Sequence, residues 1–136
     1  MLNIKGYKTV SSEIGNATNY TNWIINKIHK NIYGKVMEIG IGHGNYIEYL
    51  NKYHDYVGVD IDKDIIDNVK KKFASEKFYK LDMCDKNFIS KFGKNNFDTV
   101  ICVNSLQYAS SEKIALQNML NIIKTNGKVI VIIPAM

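Results

Sequence analysis

The strongest constraint on the fold is a regular alternation of short apolar runs with longer amphipathic stretches. The apolar runs have the length of strands and lie at residues 35–39, 56–60, 78–81, 97–103 and 128–133. Apolar residues at helical spacing fill the stretches 17–31, 45–52, 64–73, 87–92 and 111–124. Strands that alternate with helices are typical of a parallel sheet covered on both faces. We therefore predict an α/β fold, an open doubly wound sheet of about five strands.

Length and hydropathy set the organisation of the chain. Its 136 residues suffice for one compact domain and are too few for two, so 1–136 is expected to be a single domain, with a helical lead at 1–33 and the core at 34–136. The longest apolar runs have strand length, and no apolar signal core follows the N-terminus. A membrane segment is therefore not expected, and the expected location is cytoplasmic.

The charge of the chain does not indicate a nucleic-acid partner. The net charge is +5, but lysine supplies all of the positive charge and arginine is absent. Surfaces that read base sequence favour the bidentate guanidinium of arginine. The densest lysine run, at 70–72, ends a predicted helix, where cations complement the helix dipole. Nucleic-acid binding is therefore not expected.

Two cysteines are too few for a disulfide framework. Cys102 lies in an apolar run and is expected to be a reduced core thiol, while Cys84 is expected to be a packing or loop residue. Neither has a second cysteine or a histidine at the spacing of a metal site, so no metal is expected.

The segment 38–44 carries most of the chemical information. Glu38 ends the first strand, and Gly40, Gly42 and Gly44 follow at alternate positions before a helix. Glycine permits tight turning and close approach of a ligand to the backbone. Position 45 is asparagine, so the dinucleotide motif G-x-G-x-x-G is not met. A carboxylate this close would repel a pyrophosphate and attract a cationic ligand end, which disfavours NAD.

Segment 38–44 resembles the first motif of the class I, Rossmann-like S-adenosylmethionine-dependent methyltransferases. The later elements keep the family's order over roughly residues 17–136, namely Gly58-Val59-Asp60, Leu81-Asp82-Met83, Phe97-Asp98-Thr99-Val100 and the stretch 120–134. The resemblance implies the strand order 3-2-1-4-5 and a methyltransferase. It also implies S-adenosylmethionine as cofactor and S-adenosylhomocysteine as product.

The resemblance also implies roles for the first motif. Gly40, Gly42 and Gly44 would pack against the methionine and ribose parts of the cofactor. Glu38 would help to hold the turn and the amino-acid end.

Five further residues are implied to bind the cofactor. Asp60 would accept hydrogen bonds from both ribose hydroxyls, and Ile61 would pack on the adenine. Asp82 would accept from the exocyclic amine, and the Met83 N–H would meet the ring. Asn104, just past the fourth strand, would face the sulfonium and the acceptor.

Several polar residues also have structural interpretations. Asp60 could cap the following helix and Asp82 could start a turn, although ligand binding is favoured for both. Asp62 and Asp64 are expected to be first-turn helix acids. His43 lies inside the cofactor turn, so it is not expected to be a catalytic base.

Two aromatic residues precede the first strand. Trp23 is expected to pack in the core, with Tyr20, Ile24 and Ile28 on the same side of the helix. Tyr20 could instead cover the cofactor's carboxylate end.

The main indication of the methyl acceptor is a proline pair that this sequence lacks after the fourth strand. Family members that methylate exocyclic amines of bases carry a proline pair after the fourth strand, where this chain reads Asn104-Ser105-Leu106-Gln107-Tyr108. The stretches 103–108 and 133–135 are more similar to small-molecule and sugar methyltransferases. A small-molecule acceptor is therefore expected, and the catalytic residues, including any general base, remain unassigned.

The chain stops three residues after the predicted fifth strand, where the family usually continues with two more strands and a helix. The apolar strand at 129–133 would then be an exposed sheet edge, which proteins usually cover. We expect this strand to pair in a homodimer or with a partner chain, unless the sequence is part of a longer enzyme. Two other functions stay open: a non-catalytic S-adenosylmethionine-binding module, and an enzyme of different chemistry in the same pocket.

Overall fold

A five-stranded parallel sheet in the order β3-β2-β1-β4-β5 forms the centre of the protein. The computed structural model describes residues 18–53, 55–74 and 77–135. The strands are β1 (Val36–Ile39), β2 (Val57–Asp60), β3 (Phe78–Lys80), β4 (Phe97–Val103) and β5 (Ile123–Ile132). This sheet confirms the predicted Rossmann-like fold and its strand order.

Five α-helices and two short 3₁₀ segments lie between and before the strands in the described part of the chain. The helices are α1 (Thr18–Ile28), α2 (Ile47–Leu50), α3 (Lys63–Phe73), α4 (Phe88–Phe92) and α5 (Glu112–Ile122), and the 3₁₀ segments are His29–Asn31 and Leu106–Tyr108. Ala17, where the first helix was predicted to begin, lies outside the described residues.

Helices cover both faces of the sheet, and each face has its own apolar core. One core contains buried residues of α1, α2 and α3 against β1 and β4. The other contains residues of α4 and α5, among them Phe88, Phe92 and Met119, against β1, β2 and β4. Because β1 and β4 are covered on both sides, they are apolar almost throughout, as central strands of parallel sheets usually are.

Side-chain caps fix the starts of α3 and α5. Asp62 accepts a hydrogen bond from Asp64 N at 2.9 Å, and Ser111 accepts one from Ile114 N at 3.2 Å. Each bond satisfies a backbone N–H that the helix itself leaves unpaired. Asp62 is thus the N-cap of α3 rather than a residue of its first turn, whereas Asp64 lies in the first turn as expected. Ser111 is the N-cap of α5.

The buried face of α5 differs from the predicted one. We expected Ile114, Leu116, Met119, Leu120 and Ile123 to form the buried stripe. Instead Ile114 and Leu120 are 45% and 62% exposed, while Ala115, Asn118, Met119 and Ile122 are buried. The helix is held in this rotation by Asn118, whose Nδ2 donates to the carbonyls of Met83 and Asp85 at 2.8 and 3.2 Å.

The start of β5 was also predicted wrongly. The strand begins at Ile123, directly after α5, and no turn separates the helix from it at Asn126-Gly127. The extra residues form an irregularity in the pairing with β4, where the register shifts between Phe97 and Thr99. A Cβ on Gly127 would lie 2.5 Å from Ile123 Cγ1, so this glycine permits a close backbone approach rather than a turn.

Trp23 is not a core residue. It is 55% exposed on α1, with the Lys27 ammonium 5.7 Å from its ring centre, whereas Ile24 and Ile28 are buried as predicted. The period of the helix places position 23 next to the buried stripe, and the large ring then lies on the outside of it.

No helix within the described residues combines the length and hydropathy that crossing a membrane requires.

The rotation of α5 can be tested with two neighbouring residues. Met119→Ala should lower the free energy of unfolding by roughly 2–5 kcal/mol because it leaves a cavity in the core. Leu120→Ala should cost less than about 1 kcal/mol because that side chain is largely in water. Urea unfolding measures both, and equal losses would show that the helix face is assigned wrongly.

Candidate functional site

The polar residues of the site gather at the carboxyl ends of the central strands. Glu38 lies in β1, Asp60 ends β2, and Asn104 follows β4 directly. These three strands are neighbours in the order β2-β1-β4, so their carboxyl ends share one edge of the sheet. Ligands of open parallel α/β sheets bind in the crevice at this edge.

The glycine turn after β1 has a left-handed backbone. Gly40, Gly42 and Gly44 have φ angles of 77°, 53° and 81°, a region that favours glycine. The turn stays close to β2 because Gly40 N and Ile41 N both donate to Val59 O, at 2.8 and 3.3 Å.

Two of these glycines also leave no room for a side chain. A Cβ on Gly40 would lie 2.1 Å from Ser105 Oγ, and one on Gly44 would lie 2.8 Å from Ile47 Cδ1. The turn is therefore packed against the segment after β4 on one side and against α2 on the other. This packing explains why glycine is needed at both positions.

Asp60 ties the glycine turn to the end of β2. Its two carboxylate oxygens accept from Gly42 N at 3.0 Å and Asp62 N at 2.9 Å. Burial raises the pKa of Asp60, and the bonds from Asp62 and Gly42 counteract this rise. A carboxylate has further lone pairs, so Asp60 retains acceptor capacity for a ligand.

Glu38 is buried as deeply as Asp60. It is 2% exposed, and its Oε2 accepts a hydrogen bond from the Tyr56 hydroxyl at 2.7 Å. Burial raises its pKa to about 8; the bond from Tyr56 lowers the pKa, and the charge of Asp60 raises it further. A carboxyl group in this environment is poised to lose its proton when a positive charge arrives.

Asn104 connects the end of β4 with α1. Its φ angle is 53°, which is unusual for a residue other than glycine, and its Nδ2 lies 3.0 Å from the Tyr20 hydroxyl. Its Oδ1 is buried and accepts no hydrogen bond from the described residues. A buried acceptor without a donor costs free energy, so this oxygen is suited to a donor from a ligand or water.

Tyr46 adds a second phenol to this part of the site. Burial raises the pKa of Tyr46, with further contributions from Tyr20 and Glu38, while Thr21 lowers it. Tyr46 lies two residues after Gly44, between the glycine turn and α2.

The remaining predicted site residues lie at the β2 and β3 side. Ile61 is 58% exposed directly after Asp60. Asp82 Oδ1 accepts from Cys84 N at 2.8 Å, which gives this acid the turn role considered above as the alternative. The Met83 carbonyl accepts from Asn118 at 2.8 Å, and Asp82 and Met83 are both half-buried.

Sequence reasoning missed four residues near the site, namely Tyr46 and Tyr56 beside Glu38, Ser105 beside Gly40, and Gln107 with its buried Oε1. The alternation of side chains along β2 gave one indication of this in the sequence. Tyr56 and Asp60 lie an even number of positions apart, so their side chains lie on the same face of the sheet, with Gly58 between them.

Three other residues lie apart from the polar cluster. His43 is exposed. The Cys84 thiol donates to Ser111 O at 3.2 Å, and burial raises the pKa of Cys102 to about 12. Both cysteines are free, and Cys102 is a buried core thiol as predicted.

The environment of Glu38 makes stability depend on pH. A carboxyl whose pKa rises on folding from 4.5 to about 8 stabilises the folded state at low pH, and this contribution is lost as the pH rises through that range. The free energy of unfolding of the ligand-free protein should therefore fall by an amount on the order of a few kcal/mol between pH 5 and pH 8.

Glu38→Gln should remove most of that fall, and the exposed Glu48→Gln should leave it unchanged. Asp60 contributes in the same direction, since burial also raises its pKa. Urea unfolding at several pH values gives the result, and a Glu38→Gln protein with the pH profile of the wild type would contradict the assignment.

Solved structures of similar fold include several methyltransferases. A SAM-dependent methyltransferase from Archaeoglobus fulgidus has a TM-score of 0.72 and 17% identity, and the match covers 90% of this chain and 56% of that one. The trans-methyltransferase CalH in complex with SAH has a TM-score of 0.64 and 23% identity, and the match covers 84% of this chain and 38% of that one. A putative methyltransferase in complex with the Haloferax volcanii Trm112 methyltransferase activator has a TM-score of 0.71 and 16% identity, and the match covers 89% of this chain and 54% of that one.

This chain therefore spans between 38% and 56% of the lengths of these three proteins, and at such identities the likeness concerns the fold. No curated protein sequence matches the chain. A family model described as a methyltransferase domain matches residues 37–131, from β1 through most of β5. That match covers well over half of the chain and includes the glycine turn and both buried acids. The chain belongs to the methyltransferase-domain family, and the family resemblance of its sequence is confirmed.

Proposed function

We propose that the protein binds S-adenosylmethionine at this edge of the sheet and transfers its methyl group to a small-molecule acceptor. The observation that carries the proposal is the pair of buried acids on either side of the left-handed glycine turn, Glu38 at 2% exposure and Asp60 bonded to Gly42 N. The family supports it, because methyltransferase domains of this type use S-adenosylmethionine and release S-adenosylhomocysteine.

The residues of the site fit this cofactor. Glu38 offers a buried carboxyl group that can become charged opposite the ammonium of the methionine part, and Asp60 retains acceptor capacity for the ribose hydroxyls. The exposed Ile61 offers an apolar surface to the adenine, with Asp82 and Met83 nearby in the chain for its polar edge. Because the three glycines of the left-handed turn carry no side chain, a ligand can approach the backbone of the turn closely.

S-adenosylmethionine, when bound, supplies a methyl group that is already activated for displacement. The chain's own residues therefore need to orient the two reactants and exclude water. Asn104 and Tyr20 are bonded to each other at the end of β4, where they are placed to close the site towards α1. The buried Asn104 Oδ1 can accept a hydrogen bond there. A methyl-accepting molecule that carries a hydroxyl or amine donor is therefore favoured.

A second function, a non-catalytic S-adenosylmethionine-binding module, uses the same contacts. The observation that favours it is that the contacts at Glu38, Asp60 and the glycine turn serve binding alone as well as transfer. Acceptor-dependent formation of S-adenosylhomocysteine distinguishes transfer from binding alone. The mass of the modified acceptor distinguishes methylation from other chemistry in the same pocket.

We propose further that the outer edge of β5 pairs with another strand, from a second copy or a partner chain. Within the described residues β5 pairs only with β4, and its last six residues are half-buried or exposed. The Haloferax volcanii complex is an example of a similar fold that assembles with an activator chain. Light scattering of the purified protein should show a dimer or larger species, and a stable monodisperse monomer would contradict pairing between copies.

The cofactor proposal is tested by calorimetric titration. The wild type should bind S-adenosylmethionine and S-adenosylhomocysteine with Kd values of order micromolar, about −8 kcal/mol, and should not bind NAD. Asp60→Ala should weaken the binding of S-adenosylmethionine and S-adenosylhomocysteine by at least about 10-fold, because it removes a charged hydrogen-bond acceptor from a buried site.

The matched control is Asp67→Ala, which removes an acid of α3 that pairs with Lys63 at the surface. It should bind like the wild type. Thermal unfolding of each variant verifies folding, since Asp60 also anchors two backbone N–H groups. A folded wild-type protein that binds neither nucleoside would overturn the proposed function.

A further inference from the structure

The hydrogen bond between Tyr56 and Glu38 joins two buried titratable groups. The proposed function gives a role to Glu38 but none to Tyr56. Tyr56 is buried immediately before β2, and its hydroxyl donates to Glu38 Oε2 at 2.7 Å. A phenol that only fills the core could be replaced by phenylalanine, whereas this one donates a hydrogen bond to a buried acid of the site.

The sheet register brings the two side chains together. Glu38 is paired with Gly58, and Tyr56 lies two residues before Gly58, so its side chain is on the same face and diagonal to Glu38. A Cβ on Gly58 would lie 2.9 Å from Phe78 Cδ1 and 3.0 Å from Ile41 Cγ2, so the position between them is kept free of a side chain. The Tyr56 ring packs edge-on against Phe78 at 6.1 Å.

Within the described residues no cation acts on the Glu38 carboxyl, whose partners are the Tyr56 hydroxyl and Asp60 of the β2 segment. Its charge also acts on Tyr46 before α2 and on Cys102, which lies on the opposite face of the sheet in β4. Burial raises the pKa of all four, and the charge of Glu38 adds to the rise for the two tyrosines and the cysteine. The Tyr56 hydroxyl therefore gives the Glu38 carboxylate its stabilising bond, and a positive charge from a ligand would complete the neutralisation.

We infer that Tyr56 is a positioning residue, which orients Glu38 towards the glycine turn and lets it release its proton to solvent when the cationic amino-acid end of the ligand binds. This inference rests on the proposed function and goes beyond it. Binding is then coupled to one proton: the O–H bond of the Glu38 carboxyl breaks, the proton passes to buffer, and the carboxylate remains between the phenol and the ligand's ammonium.

Two ligands separate this coupling from binding in general. S-adenosylmethionine carries an α-ammonium, which keeps its proton at pH 6.5. 5′-Methylthioadenosine has the same nucleoside but lacks the amino-acid end. Calorimetry in two buffers of different ionisation enthalpy counts the protons released with each ligand.

The wild type at pH 6.5 should release close to one proton per S-adenosylmethionine and far less with 5′-methylthioadenosine. Glu38→Gln should abolish the release. His43→Gln should retain it, because that exposed imidazole is the other titratable side chain of the glycine turn.

Tyr56→Phe keeps the ring and its packing on Phe78 but removes the donor. Its affinity for S-adenosylmethionine at pH 6.5 should fall by at least about tenfold and should recover partly as the pH is raised, whereas its affinity for 5′-methylthioadenosine should be nearly unchanged. If this variant does not fold, the proton counts of the wild type and Glu38→Gln decide the question.

The outcomes distinguish the two proposals. Binding of S-adenosylmethionine without proton release overturns the inference and leaves the proposed function standing, and so does a Tyr56→Phe variant that loses affinity equally for both ligands. A folded wild type that binds neither ligand overturns the proposed function and the inference together.

Discussion

Two carboxyl groups held out of water at the ends of neighbouring strands are the interaction on which the rest of the site depends. Glu38 and Asp60 are each 2% exposed, and burying a charge is costly unless it is bonded or paired. The fold meets part of that cost with the Tyr56 hydroxyl for Glu38 and two backbone N–H groups for Asp60. Within the described residues no cation acts on either carboxyl group, so we expect a cationic ligand to suit this site better than a pyrophosphate.

The glycine turn links these acids to the surrounding structure. Asp60 bonds Gly42, Ser105 from the segment after β4 packs on Gly40, and Ile47 of α2 packs on Gly44. A change in any of these elements would therefore shift the glycine turn. Asn104, directly after β4, bonds Tyr20, which links the end of that strand to α1.

Local patterns in the sequence predict the fold class, the five strands and the glycine turn, because apolar period and glycine spacing act over a few residues. The rotation of α5 could not be predicted in this way, since Leu120 and Met119 are both apolar and the choice depends on where Asn118 finds its partners. The start of β5 depends on an irregular pairing with β4. The Tyr56–Glu38 bond depends on the register of β1 and β2, which a single sequence does not contain.

The central claim is that the buried acids and the glycine turn together form the binding site for S-adenosylmethionine. A crystal structure of the protein with S-adenosylhomocysteine tests it most directly. The account predicts the ligand across the carboxyl ends of β1, β2 and β4, with its ribose hydroxyls on Asp60, its amino group towards Glu38 and its adenine over Ile61. A ligand bound elsewhere, or one lying on this edge without contact to Asp60 and the glycine turn, would contradict the account.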